Sequence, residues 1–179
     1  MTKPRAHRYR SRPRPRDIAA VRRLVSSSGG VFQREERAIA LELLKERLAR
    51  GAKSGYWFFF VERQAELLGY AAWGPVPLTR RSFDLYWIVV AGAVQRQGLG
   101  RALLKLVERG VAARGGGNLY IETSSKPEYS RTRRFYREAG YERVALLRHF
   151  YAPGDHKLMF CKVIRARRQG VRGAGRVLL

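Results

Sequence analysis

The chain has 179 residues, enough for one domain with a substantial core and too few for two. Its 37 lysines and arginines against 14 acidic residues give a net charge of +23, with seven basic and no acidic groups in residues 1–16, six and none in 162–179, and +10 on the remainder. A field of this sign favours anionic ligands, whether coenzymes, RNA or membrane surfaces, without choosing among them. The single cysteine, Cys161, excludes an intrachain disulfide and a cysteine-cluster metal site; it reads as a core thiol in a reducing cytosol. The longest apolar run, LYWIVVAGAV at 85–94, is about half of the roughly 20 residues a membrane-spanning helix needs. The first residues lack the apolar stretch of a secretory signal and hold too much proline for a transit helix. A soluble, cytoplasmic protein is expected.

From the beginning of the chain, residues 1–7 are expected to be flexible. Asp17 is placed to cap a helix whose Ile18, Val21, Leu24 and Val25 share one face, and SSSGG at 26–30 ends it. In QREERAIALELLKERLARG, Ile39, Leu43, Leu44 and Leu48 recur at helical spacing, Glu46 stands four before Arg50, and Gly51 is the stop. YWFFFVER and LLGYAAWG form a hairpin around the polar turn RQAE, and FDLYWIVV at 83–90, apolar nearly throughout, is expected at the centre of its sheet. A glycine-bearing turn then leads into a helix with Leu103, Leu106, Val107 and Val111 on one face. LYIETSS at 119–125 is the next strand, SKPEYSRTRRFYREAGY holds a short basic helix ended by Gly140, and YERVALLRHFY and KLMFCKVI close the fold as a hairpin. Helices, strands and hairpins therefore interleave in an α/β or α+β domain with a mixed sheet. The domain is expected to end near residue 164, and 165–179 reads as a basic tail.

The glycine turn at 95–100 carries the chemistry. Between a central strand and a helix, such a turn aims several backbone N–H groups at one point, to which the helix dipole adds. Gly98 and Gly100 can take positive φ and admit a bulky anion to the main chain. The third glycine of a dinucleotide fingerprint and the Lys-Ser/Thr pair of a Walker loop are both missing, and on spacing alone a tight turn without a ligand serves equally well.

Gln95-x-x-Gly98-x-Gly100 resembles the (Arg/Gln)-x-x-Gly-x-(Gly/Ala) motif of the GCN5-related N-acetyltransferase (GNAT) superfamily. RFYREAGY, with Tyr136, Gly140 and Tyr141, resembles that family's Tyr-x-x-x-Gly-(Phe/Tyr) in the expected order, and the match spans residues from about 8 to 164. The resemblance implies a mixed, mostly antiparallel sheet whose middle strands splay, here FDLYWIVV and LYIETSS. It also implies a further strand within RYRSRPRPRD, which composition alone assigns to a tail. Acetyl-coenzyme A is the implied acyl donor. Val90, Gln95, Arg96, Gln97, Gly98, Leu99, Gly100, Arg101 and Ala102 would bind it, with Tyr129 standing where many members have asparagine.

The resemblance further implies that Tyr136 is the general acid, since a phenol neutral at pH 7 can protonate a departing thiolate; the alternative is a core tyrosine. Glu122, a carboxylate in an apolar strand, is the candidate base if burial raises its pKa, and it resembles the base of ribosomal-protein-alanine acetyltransferases, with a spacing to Tyr136 two residues longer. A salt bridge to an arginine of 131–137 is the other reading of Glu122, and Asp84 and Tyr86 are further candidates. Arg131, Arg133, Arg134 and Arg137 either meet the coenzyme's 3′-phosphate or form a solvated basic face. His7, His149 and His156 lie in separate segments without ligand spacing, so no metal is expected. Trp57, Trp73 and Trp87 read as core.

The acceptor is expected to be a primary amine of a small molecule or amino acid, or alternatively a protein N-terminus or lysine. Helices one and two and the loop at 74–82 would shape its pocket, and Arg80 and Arg81 hint at an acidic acceptor. The basic ends leave a nucleic-acid-associated module open, as they do a non-catalytic acyl-coenzyme sensor. No membrane partner is expected, and the chain is a monomer or homodimer.

Overall fold

The computed structural model describes residues 6–27 and 34–167. Residues 1–5, the glycines expected to end the first helix and the basic tail from 168 onward lie outside the described residues. In chain order the elements are β1 (Arg8–Arg10), α1 (Asp17–Ser26), α2 (Arg34–Arg50), β2 (Trp57–Arg63), β3 (Glu66–Pro75), β4 (Ser82–Val90), α3 (Leu99–Ala113), β5 (Gly117–Ser124), α4 (Ser130–Glu138), β6 (Glu142–Ala152) and β7 (Asp155–Ile164). One sheet holds all seven strands in the order β1-β2-β3-β4-β5-β7-β6, and only the β4/β5 pair is parallel. The mixed, mostly antiparallel architecture agrees with the sequence expectation, with β4 at its centre.

Counter-charges explain why an arginine-rich segment becomes β1. The Arg10 guanidinium, only 8% exposed, donates to Glu62 Oε1 at 2.7 and 2.9 Å and to both Asp17 oxygens at 2.7 and 2.8 Å, and it lies 4.1 Å over the Phe60 ring. Burial alone would push Glu62 up, but the hydrogen bonds and charge of Arg10 outweigh it and hold the carboxyl below its ordinary range. Asp17 is therefore not the helix cap expected of it. The N-cap position is Arg16, and the Asp17 carboxylate accepts the Arg14 N–H at 2.7 Å and binds Arg10.

Helices cover the two faces of the sheet unequally. On one face α3 packs Leu103, Leu104, Val107 and Val111 against Trp73, Phe83, Leu85, Leu119 and Ile121, and Tyr136 and Tyr141 join that core. On the other, α1 and α2 bring Val21, Leu24, Val25 and Leu44 to Phe58, Phe60, Tyr70 and Ala72. The stripe on α2 is rotated from expectation: Ala40 and Leu44 are buried, while Ile39 is exposed. Cys161 is likewise half-buried beside Tyr120 rather than in the core. No helix among the described residues is long and apolar enough to cross a membrane.

Candidate active site

β4 and β5 start side by side and then part. Their ladder holds for Ser82↔Asn118, Phe83↔Leu119 and Asp84↔Tyr120, after which β4 continues along β3 to Val90 and β5 along β7 to Ser124. The result is a wedge with Asp84 and Tyr120 at its apex, opening toward Val90 and the start of α3. A bulge sharpens the divergence: Trp73 faces Leu85 and Ala72 faces Trp87, leaving Tyr86 as the extra residue of β4.

The glycine turn sits at the mouth of this wedge. Gly98 is the N-cap of α3 with φ +81°, and a Cβ there would meet nothing within 4 Å, so backbone conformation rather than crowding demands glycine. Gly100, expected to share that conformation, is instead an ordinary helical residue; the second left-handed position is Arg96, at φ 62°. The helical ladder begins with Ala102 N–H donating to the Gly98 carbonyl at 3.0 Å, so the amides of residues 98–101 precede it and are oriented together at the positive end of the dipole. Gln95 ties the turn to the strand by donating from Nε2 to the Val90 carbonyl at 3.3 Å. Arg96, Gln97 and Arg101 are exposed, whereas Leu99 turns into the core.

Tyr136 is brought to the same region by α4. Phe135, its neighbour, stands 3.8 Å from where a Gly100 Cβ would lie, so α4 packs on the first turn of α3. Tyr136 is 4% exposed among the rings of Phe135, Tyr141 and Phe160, and burial pushes its phenol well above the ordinary value. Of the basic cluster, Arg133 donates to the Ser124 and Lys126 carbonyls at 2.8 Å, clipping α4 to the end of β5, and Arg134 pairs with Glu138.

The other side of the wedge corrects several expectations. Glu122 is exposed, not buried, and its partner is Lys157 across the β5/β7 ladder, not an arginine of α4. Asp84 is the carboxylate held in a desolvated place: burial, and then the charge of Glu122, raise its pKa, which Lys157 moderates. Tyr86 beside it is pushed up to about 12 by burial, by Asp84 and by Tyr56. Tyr129 is pushed up to about 12 by burial and by the charges of Glu36, Asp155 and Glu128. Tyr151 likewise feels Glu122, Asp155 and Glu36. The loop at 74–82 lies at the closed end, where the Arg81 carbonyl accepts the Asn118 N–H at 2.8 Å, so Arg80 and Arg81 do not face the mouth.

Sequence reasoning missed Glu36, Lys157 and Asp155, which come from α2 and β7 and share no motif with the strands they approach. The histidines also differ from expectation: His149 and His156 meet across the β6–β7 hairpin at 4.8 Å, where each Nδ1 accepts a backbone N–H. Among the described residues no group of three His, Cys, Asp or Glu is placed to hold a metal.

Comparisons agree with this geometry. A family model described as an acetyltransferase (GNAT) domain matches residues 28–151. A GNAT-family protein of Desulfovibrio desulfuricans is 43% identical, with a TM-score of 0.86 over 89% of this chain and 99% of its own. The fold is also similar to that of the ribosomal-protein-alanine N-acetyltransferase of Brucella melitensis (20% identity, TM-score 0.70, 87% and 99% of the two chains). An aminoglycoside 6′-N-acetyltransferase complexed with coenzyme A is similar too (18%, 0.69, 92% and 99%). Among curated proteins no match is found. A forked β4/β5 pair, a left-handed glycine opening α3 and a family match over most of the chain lead to one assignment: the protein belongs to the GNAT acetyltransferase family and is an enzyme of the N-acetyltransferase class.

Proposed function

We propose that this enzyme moves the acetyl group of acetyl-coenzyme A to the primary amine of a cationic small molecule. The observation that carries the reading is the asymmetry of the wedge. Converging amides and exposed arginines stand at the glycine turn, while Asp84, Glu122, Glu36 and Asp155 gather on the side away from it, in a chain of net charge +23. Carboxylates are concentrated there against the field of the whole molecule, with Lys157 beside Glu122 and Lys126 beside Asp155. An ammonium-bearing acceptor is drawn to that face, and an acidic one is repelled.

The side chains divide the proton traffic. Residues 95–102 receive the diphosphate of the acyl donor, whose arm enters between β4 and β5. An acceptor ammonium loses its proton to Asp84, whose raised pKa makes it a better base than an ordinary carboxylate, while Glu122 and Lys157 set the charge at the rim. The free amine attacks the thioester carbonyl, the C–N bond forms, the C–S bond breaks, the Tyr136 hydroxyl protonates the departing thiolate, and the surplus proton of the new amide nitrogen passes through solvent to restore the phenol. Burial keeps that hydroxyl protonated throughout the neutral range.

Thiol release from acetyl-coenzyme A across polyamines, amino sugars, neutral amines, acidic amino acids and peptides tests the proposal. Turnover is expected for the polycationic small amines first. Release driven by acidic amino acids or by peptides alone overturns the acceptor assignment, and no release with any amine overturns the catalytic one.

A further inference from the structure

At the opposite end of α3 the structure holds a second concentration of positive charge that the acetyl-transfer site does not use. A cavity of about 410 Å³ opens where β1 ceases to cover β2, its ladder stopping at Phe60; Arg12, Arg47, Trp57, Trp73 and Arg114 line it. Arg114, just past the last turn of α3, has its guanidinium 3.9 Å over the Trp57 ring and 5.0 Å from that of Trp73, with one N–H given to the Gly110 carbonyl at 3.1 Å. Arg47 reaches the cavity from the last turn of α2, and its Nη1 is buried with no hydrogen-bond partner. The indole N–H of Trp73, on a side chain 1% exposed, is also buried and unpartnered.

Burial disfavours the charge on both arginines, and Arg114 is further disfavoured by the nearness of Arg47. Neither pairs with a carboxylate among the described residues. Arg10, at the same sheet edge, shows the ordinary solution: a buried guanidinium with two carboxylates against it, whereas Arg47 is half-buried and Arg114 keeps an exposed flank at the cavity mouth. Two neighbouring guanidiniums, with the Arg47 Nη1 and Trp73 Nε1 donors buried and unpartnered, have no carboxylate against them among the described residues. Planar guanidiniums held by stacking are pre-arranged for the paired oxygens of a phosphate or carboxylate.

We propose that this cavity is a second ligand site, which binds a small molecule carrying a multiply charged oxyanion, such as a phosphate ester or a polycarboxylate. It is separate from the acetyl-transfer site, because the length of α3 puts its two ends about 20 Å apart.

Calorimetric titration of the full chain with pyrophosphate and with citrate tests this, in the presence of saturating coenzyme A and again in a Gly98→Val background so that the glycine turn does not contribute. One saturable site is expected, and a preference between the two probes tells phosphate from carboxylate. Arg47→Leu and Arg114→Leu should each weaken it by about tenfold or more, the scale of one lost charge-assisted bond, while Arg22→Leu, an exposed arginine of α1, leaves it unchanged. Without ligand, Arg47→Leu should keep or raise the melting temperature, since it removes a repulsion and an unpartnered donor. Absence of saturable binding, equal losses with Arg22→Leu, a lowered melting temperature of Arg47→Leu, or binding of an oligonucleotide but of neither small anion overturns the proposal.

Discussion

The first turn of α3 and its last, about 20 Å apart, both gather positive charge, by different means. At the amino end the donors are backbone amides, oriented by the left-handed Gly98 and by the start of the helical ladder at Ala102. At the carboxyl end they are side chains from α2, the residue that follows α3 and the segment after β1, standing against two tryptophans. A main-chain site needs only a short contiguous sequence, whereas a side-chain site is assembled from residues scattered over more than 100 positions. The two also differ in cost. Amides at a helix start are unpaired in any helix, but Arg47 and Arg114 lie together only because the surrounding fold holds them there.

Valine at position 98 should break the amino end most severely. A β-branched side chain at φ +81° is strained and would project a Cβ toward the space in front of the turn, so Gly98→Val is expected to abolish coenzyme binding, read by calorimetry, while leaving the far cavity's affinities intact. Next in size is Tyr136→Phe, which keeps the ring packing and removes the proton donor. Its kcat should fall by roughly 10²-fold or more, with coenzyme affinity spared. Because burial holds the phenol above its ordinary value of 10.0, the wild type should show no alkaline loss of activity from Tyr136 up to that pH.

Asp84→Asn sharpens the contrast between function and stability within the wedge. As a base with a raised pKa, Asp84 should make kcat fall as pH drops through that raised value, above the ordinary carboxylate range. The asparagine variant should lose that acidic limb and about 10²-fold in rate. Stability has the opposite sign: a raised carboxyl loses folding free energy as pH climbs from 3.8 through its folded value, so at pH 7 the asparagine variant should be at least as stable by thermal melting. The smallest effect is expected at Gly110, in the middle of α3. An alanine Cβ there would come 2.4 Å from Trp73 Cζ2, so Gly110→Ala should destabilise by about 1 kcal/mol, overpacking of about 1–3 kcal/mol outweighing a helix-propensity gain of about 1. It should disturb the far cavity through Trp73 and leave the glycine turn alone.

What was legible beforehand follows the same division. The turn from Gln95 to Ala102, the helix after it, the β2–β3 hairpin and the α4 segment bearing Tyr136 are each written in one short contiguous stretch, and each forms where expected. The errors arose where a residue's environment comes from distant chain. Glu122 lies in an apolar strand, yet its side of β5 is open and Lys157 stands beside it. Arg10 looks like part of a basic tail until Glu62, 52 positions away, is brought against it.

By itself, then, the sequence determined the order of the elements after β1 and the glycine turn, because periodicity and backbone conformation are local properties of neighbouring residues, while the acetyltransferase family was legible through the resemblance of two short motifs. Only the tertiary structure decided that Glu122 and Asp155 are paired with Lys157 and Lys126, that Asp84 and not Glu122 is the desolvated carboxylate, and that Arg47 and Arg114 are neighbours with no carboxylate partner among the described residues. Burial and Coulomb energy depend on distance in space, and separation along the chain does not encode it.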